Sequence, residues 1–246
     1  MAELIPITER KYILKEKIDE TPEVLILKMM PEDGQPVRFD PGMFMMIIGI
    51  DGEGNRHVAR AFSIASDPST PGIEFMVIKE PRHGEHIGRS HFMDAKIGDA
   101  FILKGPSGQF RFDPSINKKV IFIAGGTGLA PFVAMLRHIK VTDSKSDVIL
   151  LYSTKYPTEI ISKDELYGYV DSLGIKLVVT VTRPQEGDGW TGQTGHVDSS
   201  MIEKYAPDVL ERTAYVCGPL EFVKAVKDAL VALKVPLNDI KADVWG

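Results

Sequence analysis

The stretch Ile121-Phe-Ile-Ala-Gly-Gly-Thr-Gly-Leu-Ala-Pro131 places a glycine-rich turn directly between an apolar run and the start of a helix. Glycine lets a backbone come close to a ligand, and the first turn of a helix offers unpaired N–H groups to an anion. Pro131 suits that first turn, because its missing N–H costs little there. Ligands of open α/β sheets bind outside the carboxyl ends of the strands, so the turn predicts a phosphate-binding site. A tight turn without a ligand is the simpler alternative.

The sequence around this turn alternates strand-like and helix-like segments. Apolar runs predict strands at residues 119–124, 148–152, 175–181 and 214–217. Helical patterns predict helices at residues 131–140, 163–173, 199–205 and 220–234. Strands and helices that alternate at this spacing indicate a parallel sheet with helices on both faces.

The first half of the chain has a different pattern. Short β-branched or aromatic runs, separated by turn clusters rather than long helices, predict strands at residues 11–17, 23–29, 44–50, 59–65, 73–79 and 100–104. Such a series is typical of an antiparallel sandwich or barrel. One short helix is predicted at residues 88–95. We place the boundary near residues 113–118 and expect two domains, 1–114 and 115–246.

The composition limits the classes of function. The formal net charge of the 246 residues is -5, with both signs interspersed, which argues against a nucleic-acid partner. The single cysteine, Cys217, cannot form an internal disulfide or hold an iron–sulfur cluster or zinc alone. The uncharged run 120–136 contains glycines and a proline that would interrupt a membrane helix. The first ten residues lack the apolar core of a signal peptide, so we expect a cytoplasmic protein without a membrane segment.

Three further motifs stand in a definite order along the chain. Arg60-Ala-Phe-Ser63 lies on a predicted strand, Cys217-Gly-Pro219 follows the last predicted strand, and Asp243-Val-Trp245 lies near the C-terminal end. Together with the glycine turn, this set resembles the signature of the ferredoxin–NADP(+) reductase superfamily over essentially the whole chain. The resemblance implies a flavin-binding β-barrel of Greek-key type, followed by an NAD(P)-binding α/β domain whose C-terminal tail returns to the flavin.

The resemblance implies FAD-binding residues in the first domain. Arg60 would pair with the flavin phosphate, Ala61 and Phe62 would lie against the flavin, and Ser63 would hydrogen-bond near N5 of the ring. Phe62 replaces the tyrosine of the family and lacks its hydroxyl. Two further stretches are assigned to FAD: Val77, Ile78 and Lys79 along the ribityl chain, and Gly88, Arg89 and Ser90 at the pyrophosphate. This second stretch favours FAD over FMN.

These residues also have interpretations that involve no ligand. Arg60 and Ser63 could be ordinary surface residues of a strand, and Arg89 could be solvated. His83, His86 and His91 lack the spacing of convergent ligands, so solvated loop histidines are expected and no metal site is assigned.

At the nicotinamide end the resemblance assigns Gly126, Thr127, Gly128 and Pro131 to the nucleotide. Cys217 would lie beside the nicotinamide ring, with Gly218 and Pro219, and Asp243 would complete a catalytic trio with Ser63 and Cys217. Asp243 is one methylene shorter than the glutamate of plant-type reductases. Trp245 would cover the flavin and act as a gate. The alternatives are a buried structural thiol at Cys217 and a frayed tail at Asp243 and Trp245.

The coenzyme depends on recognition of a 2′-phosphate. Lys155 and Arg183 stand where NADP-using relatives place cations, whereas Gln193 stands where some of them have a third. NADP(H) is therefore slightly favoured over NAD(H).

These assignments predict an FAD-dependent NAD(P)H oxidoreductase. It would transfer hydride between nicotinamide and flavin, and single electrons to or from a soluble carrier such as ferredoxin or flavodoxin. The alternative is a reductase subunit of a multicomponent oxygenase, hydrogenase or dihydroorotate dehydrogenase system. A non-enzymatic nucleotide-binding module would leave the residues from Arg60 to Ser63 and Trp245 without a role.

Overall fold

The computed structural model describes residues 5–50, 56–79 and 89–245. The chain separates into two compact units. The first unit comprises Met1–Phe112 together with Val133–His138, and the second comprises Asp113–Phe132 together with Ile139–Gly246. Each unit has its own hydrophobic core.

The first unit is built on an antiparallel sheet. Within the described residues its strands are β1 (Thr8–Thr21), β2 (Val24–Pro31), β3 (Phe44–Ile50), β4 (Arg56–Ser63), β5 (Ile73–Ile78) and β6 (Ala100–Ser107). They are ordered β4-β3-β6-β1-β2-β5, and helix α1 (Arg89–Asp94) stands between β5 and β6 in the chain. The two edge strands meet where the amide of Ala65, just after β4, donates to the carbonyl of Glu74 on β5 at 2.8 Å. The expected antiparallel β-barrel is therefore confirmed.

The core of this unit comes from the alternation of side chains along the strands. In β3, Met45 and Ile47 are completely buried, whereas Phe44 before them and Met46 between them are half-buried. Residues two apart on a strand point to one face, so β3 places one set of side chains in the barrel interior and the other outside it. β4 pairs with β3 in register and inherits the same division of faces.

The second unit is built on a parallel sheet. Its strands are β7 (Lys119–Gly125), β8 (Asp147–Thr154), β9 (Lys176–Val181), β10 (Gln193–Thr194), β11 (Thr213–Pro219) and β12 (Ile240–Trp245). Its helices are α2 (Ala130–Val141), α3 (Lys163–Leu173), α4 (Ser199–Tyr205) and α5 (Leu220–Ala232). The strand order β10-β9-β8-β7-β11-β12 confirms the expected α/β fold with a parallel sheet.

The strand order also locates a binding crevice. From β7 the chain builds outward to β8, β9 and β10 on one side, and later to β11 and β12 on the other. The order therefore reverses between β7 and β11, and ligands of doubly wound sheets bind at the carboxyl ends of the strands beside such a reversal.

The run 120–136 divides between a strand and a helix, β7 and α2. No helix among the described residues is long and apolar enough to span a membrane.

Candidate functional site

In the first unit, the Arg60-Ala-Phe-Ser63 motif forms the end of β4. Phe62 pairs with the buried Met45 of β3, and Ser63 pairs with Phe44. The ring of Phe62 is half-buried and meets Phe92 edge-on at 5.4 Å between centroids. The barrel core thus fixes one side of Phe62 and leaves the rest partly exposed.

The polar members of the motif are also accessible. Arg60 and Ser63 are half-buried, and Ala61 between them is exposed. A guanidinium and a hydroxyl near the end of one strand are donors suited to phosphate and ring acceptors.

The second stretch assigned to flavin lies at the end of β5. Val77 is buried and Ile78 is half-buried. The ammonium of Lys79 donates to the carbonyl of Thr21 at 2.9 Å and pairs with Asp19 at 2.6 Å. This contact lowers the pKa of the Asp19 carboxyl. Because β1 holds the Lys79 side chain, a contribution of this stretch to flavin binding would fall on its backbone.

Part of the assigned pyrophosphate turn lies outside the described residues. Gly88, His83 and His86 all lie outside the described residues. Arg89 and Ser90 begin α1, and their side chains are not described. Among the residues that are described, no group of histidine, cysteine, aspartate or glutamate is arranged to hold a metal ion.

In the second unit, the glycine turn leads from β7 into α2. Residues Gly126–Leu129 form a short 3₁₀ turn, and Gly126 has a φ of 55°, a left-handed conformation that favours glycine. A Cβ on Gly126 would meet no atom within 4 Å, so this side of the turn is open. Thr127 is half-buried, and Pro131 is the second residue of α2. The turn therefore offers backbone N–H groups at a helix start, as predicted from the sequence.

Gly128 brings this turn against the end of β11. A Cβ at this position would lie 2.3 Å from the carbonyl oxygen of Cys217 and 2.7 Å from Cα of Gly218. Only glycine allows so close an approach between two backbones. The glycine turn therefore packs directly against Cys217-Gly-Pro219, which forms the end of β11.

An aromatic residue that the sequence interpretation missed completes this contact. Phe222, on the first turn of α5, lies so close that a Cβ on Gly125 or on Gly218 would come within 2.8 Å of its ring. Its signal in the sequence is an aromatic residue three positions after Pro219.

Cys217 and Asp243 lie next to each other. They occupy the same register position on the parallel strands β11 and β12. Cys217 is completely buried, and this burial, together with the charge of Asp243, raises the pKa of its thiol well above the ordinary value. The backbone N–H of Gly218 acts in the opposite direction. The thiol is therefore neutral at neutral pH, beside a half-buried carboxylate.

The C-terminal segment is a strand rather than a frayed tail. β12 pairs with β11 from Ala214–Ile240 through Pro219–Trp245. The side chain of Trp245 is not described, so its place over the flavin stays a prediction. Ser63 belongs to the first unit and Cys217 and Asp243 to the second, and the trio as a whole likewise stays a prediction.

The two candidate cations for a 2′-phosphate follow neighbouring strands. Lys155 comes directly after β8 and Arg183 lies two residues after β9, and both are exposed. The amide of Arg183 donates to the carbonyl of Lys155 at 2.9 Å. The backbones of these residues are therefore in direct contact at the carboxyl edge of the sheet.

Gln193 stands where some NADP-using relatives have a third cation, and its side chain contacts the end of α4. Its Oε1 accepts hydrogen bonds from the hydroxyl of Tyr205 at 2.8 Å and from the ammonium of Lys204 at 3.2 Å. These contacts tie the Gln193 side chain to the end of α4.

Comparison with known proteins gives matches to both halves. The oxidoreductase FAD-binding domain model matches residues 11–112, and the oxidoreductase NAD-binding domain model matches residues 122–228. FAD and a nicotinamide nucleotide are thus the cofactors of this chain.

A curated relative is the glycine betaine monooxygenase reductase subunit of Pseudomonas aeruginosa. It is 32% identical over 231 residues, which are 93% of this chain and 62% of that protein. The chain therefore spans about three fifths of the length of this relative.

Solved structures share the fold. The ferredoxin reductase in carbazole 1,9a-dioxygenase matches with a TM-score of 0.84 and 24% identity, over 99% of this chain and 71% of that one. The cytochrome b5 reductase domain of Ulva prolifera nitrate reductase matches with a TM-score of 0.81 and 26% identity, over 96% and 97% of the two chains. With both domain models and this shared architecture, the chain belongs to the ferredoxin–NADP reductase-like superfamily of FAD- and NAD-binding oxidoreductases.

Proposed function

We propose that this chain transfers hydride between a nicotinamide nucleotide and bound FAD, and exchanges single electrons with a partner protein. In this proposal residues 1–114 bind the flavin and residues 115–246 bind the nucleotide. The observation that carries it is the junction at the carboxyl ends of β7 and β11, where Gly128 lies against Cys217 beside Asp243. A phosphate-binding turn, a small buried thiol and a carboxylate at a reversal of strand order suit a dinucleotide that ends in a charged ring.

The residues present fit both cofactors. The open side of Gly126 leaves room for a phosphate at the start of α2. On β4, the half-buried Arg60 and Ser63 supply a guanidinium for phosphate and a hydroxyl for the ring. The bound flavin would supply the redox chemistry, in which two electrons are accepted together and released singly. Val77, Ile78 and the 88–90 turn remain our proposed further contacts to FAD.

The protein side of the reaction consists of positioning and charge. The thiol of Cys217 is small, polarisable and neutral, and it is completely buried, so a planar ring would reach it only after the group that covers it moves aside. The carboxylate of Asp243 would favour the positive charge that develops on a nicotinamide ring as hydride leaves it. Ser63 would donate a hydrogen bond to the flavin ring. Holding reacting groups in such a geometry accounts for much of the rate that an enzyme provides.

Trp245 is our proposed gate. Its backbone pairs with Pro219, two positions beyond the pair of Cys217 and Asp243, so the residue stands at the carboxyl edge where the nicotinamide would bind. A gate there predicts that Trp245→Ala changes the affinity for nicotinamide nucleotides. An unchanged affinity would remove this role.

The choice of coenzyme rests on Lys155 and Arg183. Their contact at the edge of the sheet puts two cations after neighbouring strands, as a 2′-phosphate needs. We propose that both coenzymes react and that NADPH binds more tightly than NADH.

The partner is proposed from the chemistry and the relatives. The reductase subunit from Pseudomonas aeruginosa is named as part of a monooxygenase. This favours an oxygenase component as the electron acceptor, with ferredoxin or flavodoxin as the other candidate. The single cysteine of these 246 residues, Cys217, cannot hold a cysteine-ligated cluster by itself.

A titration under anaerobic conditions tests the proposal. The FAD-loaded protein is mixed with NADPH or NADH, and the flavin absorbance is followed. We expect the absorbance to bleach with both and to recover when a one-electron acceptor is added. A protein that does not take up FAD, or takes it up and is not bleached, contradicts the proposed function.

A further inference from the structure

The segment directly after Ser63 is held at its backbone. Residues 64–67 are all buried. The amide of Ile64 donates to the carbonyl of Met43 at 3.0 Å, and the amide of Ala65 donates to the carbonyl of Glu74 at 2.8 Å. The position of Ser63 is therefore tied to the barrel through the next two residues of the chain.

Arg137 completes the fixation of this segment. Residues 133–138 of α2 belong to the first unit. The Nη1 atom of Arg137 donates to the carbonyl of Ala65 at 3.0 Å and to Oε1 of Glu74 at 2.7 Å. The Glu74 side chain is 10% exposed, so its carboxylate needs a charged partner at close range. One guanidinium therefore joins the backbone beyond Ser63 to a buried carboxylate.

A second contact, between Asp67 and His138, fixes the other end of the segment 64–67. The Asp67 side chain is 2% exposed, and its Oδ2 lies 2.9 Å from Nδ1 of His138. Its other oxygen accepts the amide of Ser69 at 2.8 Å. Two consecutive residues of α2 thus contact two buried carboxylates on either side of the turn between β4 and β5.

We propose that Arg137 is a positioning residue for Ser63, acting through the carbonyl of Ala65 and the carboxylate of Glu74. This inference rests on the proposed function, in which Ser63 contacts the flavin ring. A guanidinium presents several donors in a fixed plane and can satisfy both acceptors together. A displacement of about 1 Å at a reacting centre can slow an enzyme by about a hundredfold, so a loosened Ser63 affects hydride transfer more than binding.

The test compares Arg137→Met with the double variant Glu74→Met and Arg137→Met. The single variant leaves the buried carboxylate of Glu74 with the more distant ammonium of Lys28, 4.0 Å away, whereas the double variant removes the charges of both Glu74 and Arg137 and keeps apolar side chains of similar length. The FAD-loaded proteins are compared by anaerobic bleaching, by the KM for NADPH, and by amide hydrogen exchange of residues 64–67.

We expect both variants to transfer hydride on the order of tenfold more slowly, with KM changed less than about twofold. We also expect faster exchange at Ala65 in both. Arg137→Lys should recover part of the rate, since the ammonium keeps the charge and the donors but stands on a shorter side chain without the fixed plane of a guanidinium. Lys140→Met, an exposed change on the same helix, should leave rate and exchange unchanged.

A double variant with the wild-type rate, or with unchanged exchange at residues 64–67, overturns the role of Arg137. If the wild-type protein itself is not bleached, the proposed function fails instead. The exchange measurement still tests the fixation of the segment in that case, so the two failures are distinguishable.

Discussion

Cys217 and Asp243 lie side by side on the parallel strands β11 and β12, at the same register position. The thiol is completely buried, and the carboxylate beside it adds to the effect of burial in raising the pKa of the thiol. A reactive cysteine needs a lowered pKa and some exposure, so this thiol is not suited to act as a nucleophile. Our proposal gives Cys217 a packing role beside the nicotinamide ring instead.

Changing the carboxylate should slow hydride transfer. We expect Asp243→Asn to reduce the rate of flavin bleaching at saturating NADPH by about tenfold or more, because a charge that favours the developing positive ring is lost. Asp243→Glu should keep most of the rate, since it keeps the charge. Asp239→Asn, an exposed change shortly before β12, is the matched control. An Asp243→Asn rate equal to that of the wild type rejects the proposed role.

Replacing Cys217 tests whether its thiol serves hydride transfer rather than flavin binding. We expect Cys217→Ala to slow bleaching while the FAD content of the purified protein stays the same, because Cys217 belongs to the nucleotide-binding unit. The ratio of flavin absorbance to protein absorbance measures the content. Loss of flavin in this variant would show that the role of Cys217 is misassigned.

The close approach at Gly128 makes it the least replaceable glycine of the turn. A Cβ on Gly128 would lie 2.3 Å from the carbonyl oxygen of Cys217, so Gly128→Ala must move one of two backbones. We expect a lower free energy of unfolding in urea and weaker binding of NADPH. Gly168→Ala on α3, where a Cβ meets nothing within 4 Å, should instead raise stability by about 0.5–1 kcal/mol. Gly128→Ala with wild-type stability and binding contradicts the described contact.

The two cations after β8 and β9 make a prediction about coenzyme choice. Lys155→Ala and Arg183→Ala should each raise the Kd for NADPH by about tenfold and leave the Kd for NADH nearly unchanged, because only NADPH carries the 2′-phosphate. Lys145→Ala is the control, since Lys145 is exposed and pairs with Asp143. Equal effects on both coenzymes would remove the argument for NADPH.

Arg212 stabilises the fold of the second unit, and we assign it no role in cofactor binding. It is 5% exposed and contacts the carboxylates of Asp147 and Asp208, each at 2.9 Å through Nη2. It also donates to the carbonyl of Val120 at 3.1 Å. We expect Arg212→Met to lower the free energy of unfolding by about 1–3 kcal/mol, because the buried carbonyl of Val120 loses its side-chain donor, while the partly exposed Asp208 keeps the ammonium of Lys119 at 2.9 Å. A urea titration measures this loss, and a change below about 1 kcal/mol would contradict it.

The same cluster predicts a dependence of stability on pH. The hydrogen bond from Arg212 holds the pKa of Asp208 well below its ordinary value. A carboxyl whose pKa is lower in the folded state stabilises the fold above its unfolded pKa of about 4, and that contribution is lost as the pH falls. Thermal unfolding between pH 7 and pH 2 should therefore show a smaller loss of Tm in Asp208→Asn than in the wild type. An identical pH profile in the two proteins would reject the assignment.

Local patterns were sufficient to predict most elements. The alternation in 44–50 and the apolar run after residue 119 predicted strands that the structure contains. The strand β12 was missed, because Ile240–Trp245 carries a lysine and an aspartate and reads as a polar tail. Its pairing with β11 compensates for that polarity. The two-residue strand β10 is too short to leave a periodic signal.

The buried charges could not be foreseen from local sequence. Arg137 and Glu74 are separated by 63 positions, and Arg212 and Asp147 by 65. Each residue by itself resembles an ordinary surface charge, and burial is favourable only when the partner is present. The sequence motifs located Cys217 and Gly128 without showing that the two backbones touch, since that contact depends on the strand order.

Anaerobic mixing of the FAD-loaded protein with NADPH, followed by flavin absorbance, measures hydride transfer from the nicotinamide to the flavin itself. We expect rapid bleaching in the wild type and slower bleaching in Asp243→Asn and Cys217→Ala at unchanged flavin content. Bound FAD that is not bleached by NADPH or NADH would contradict the proposed hydride transfer.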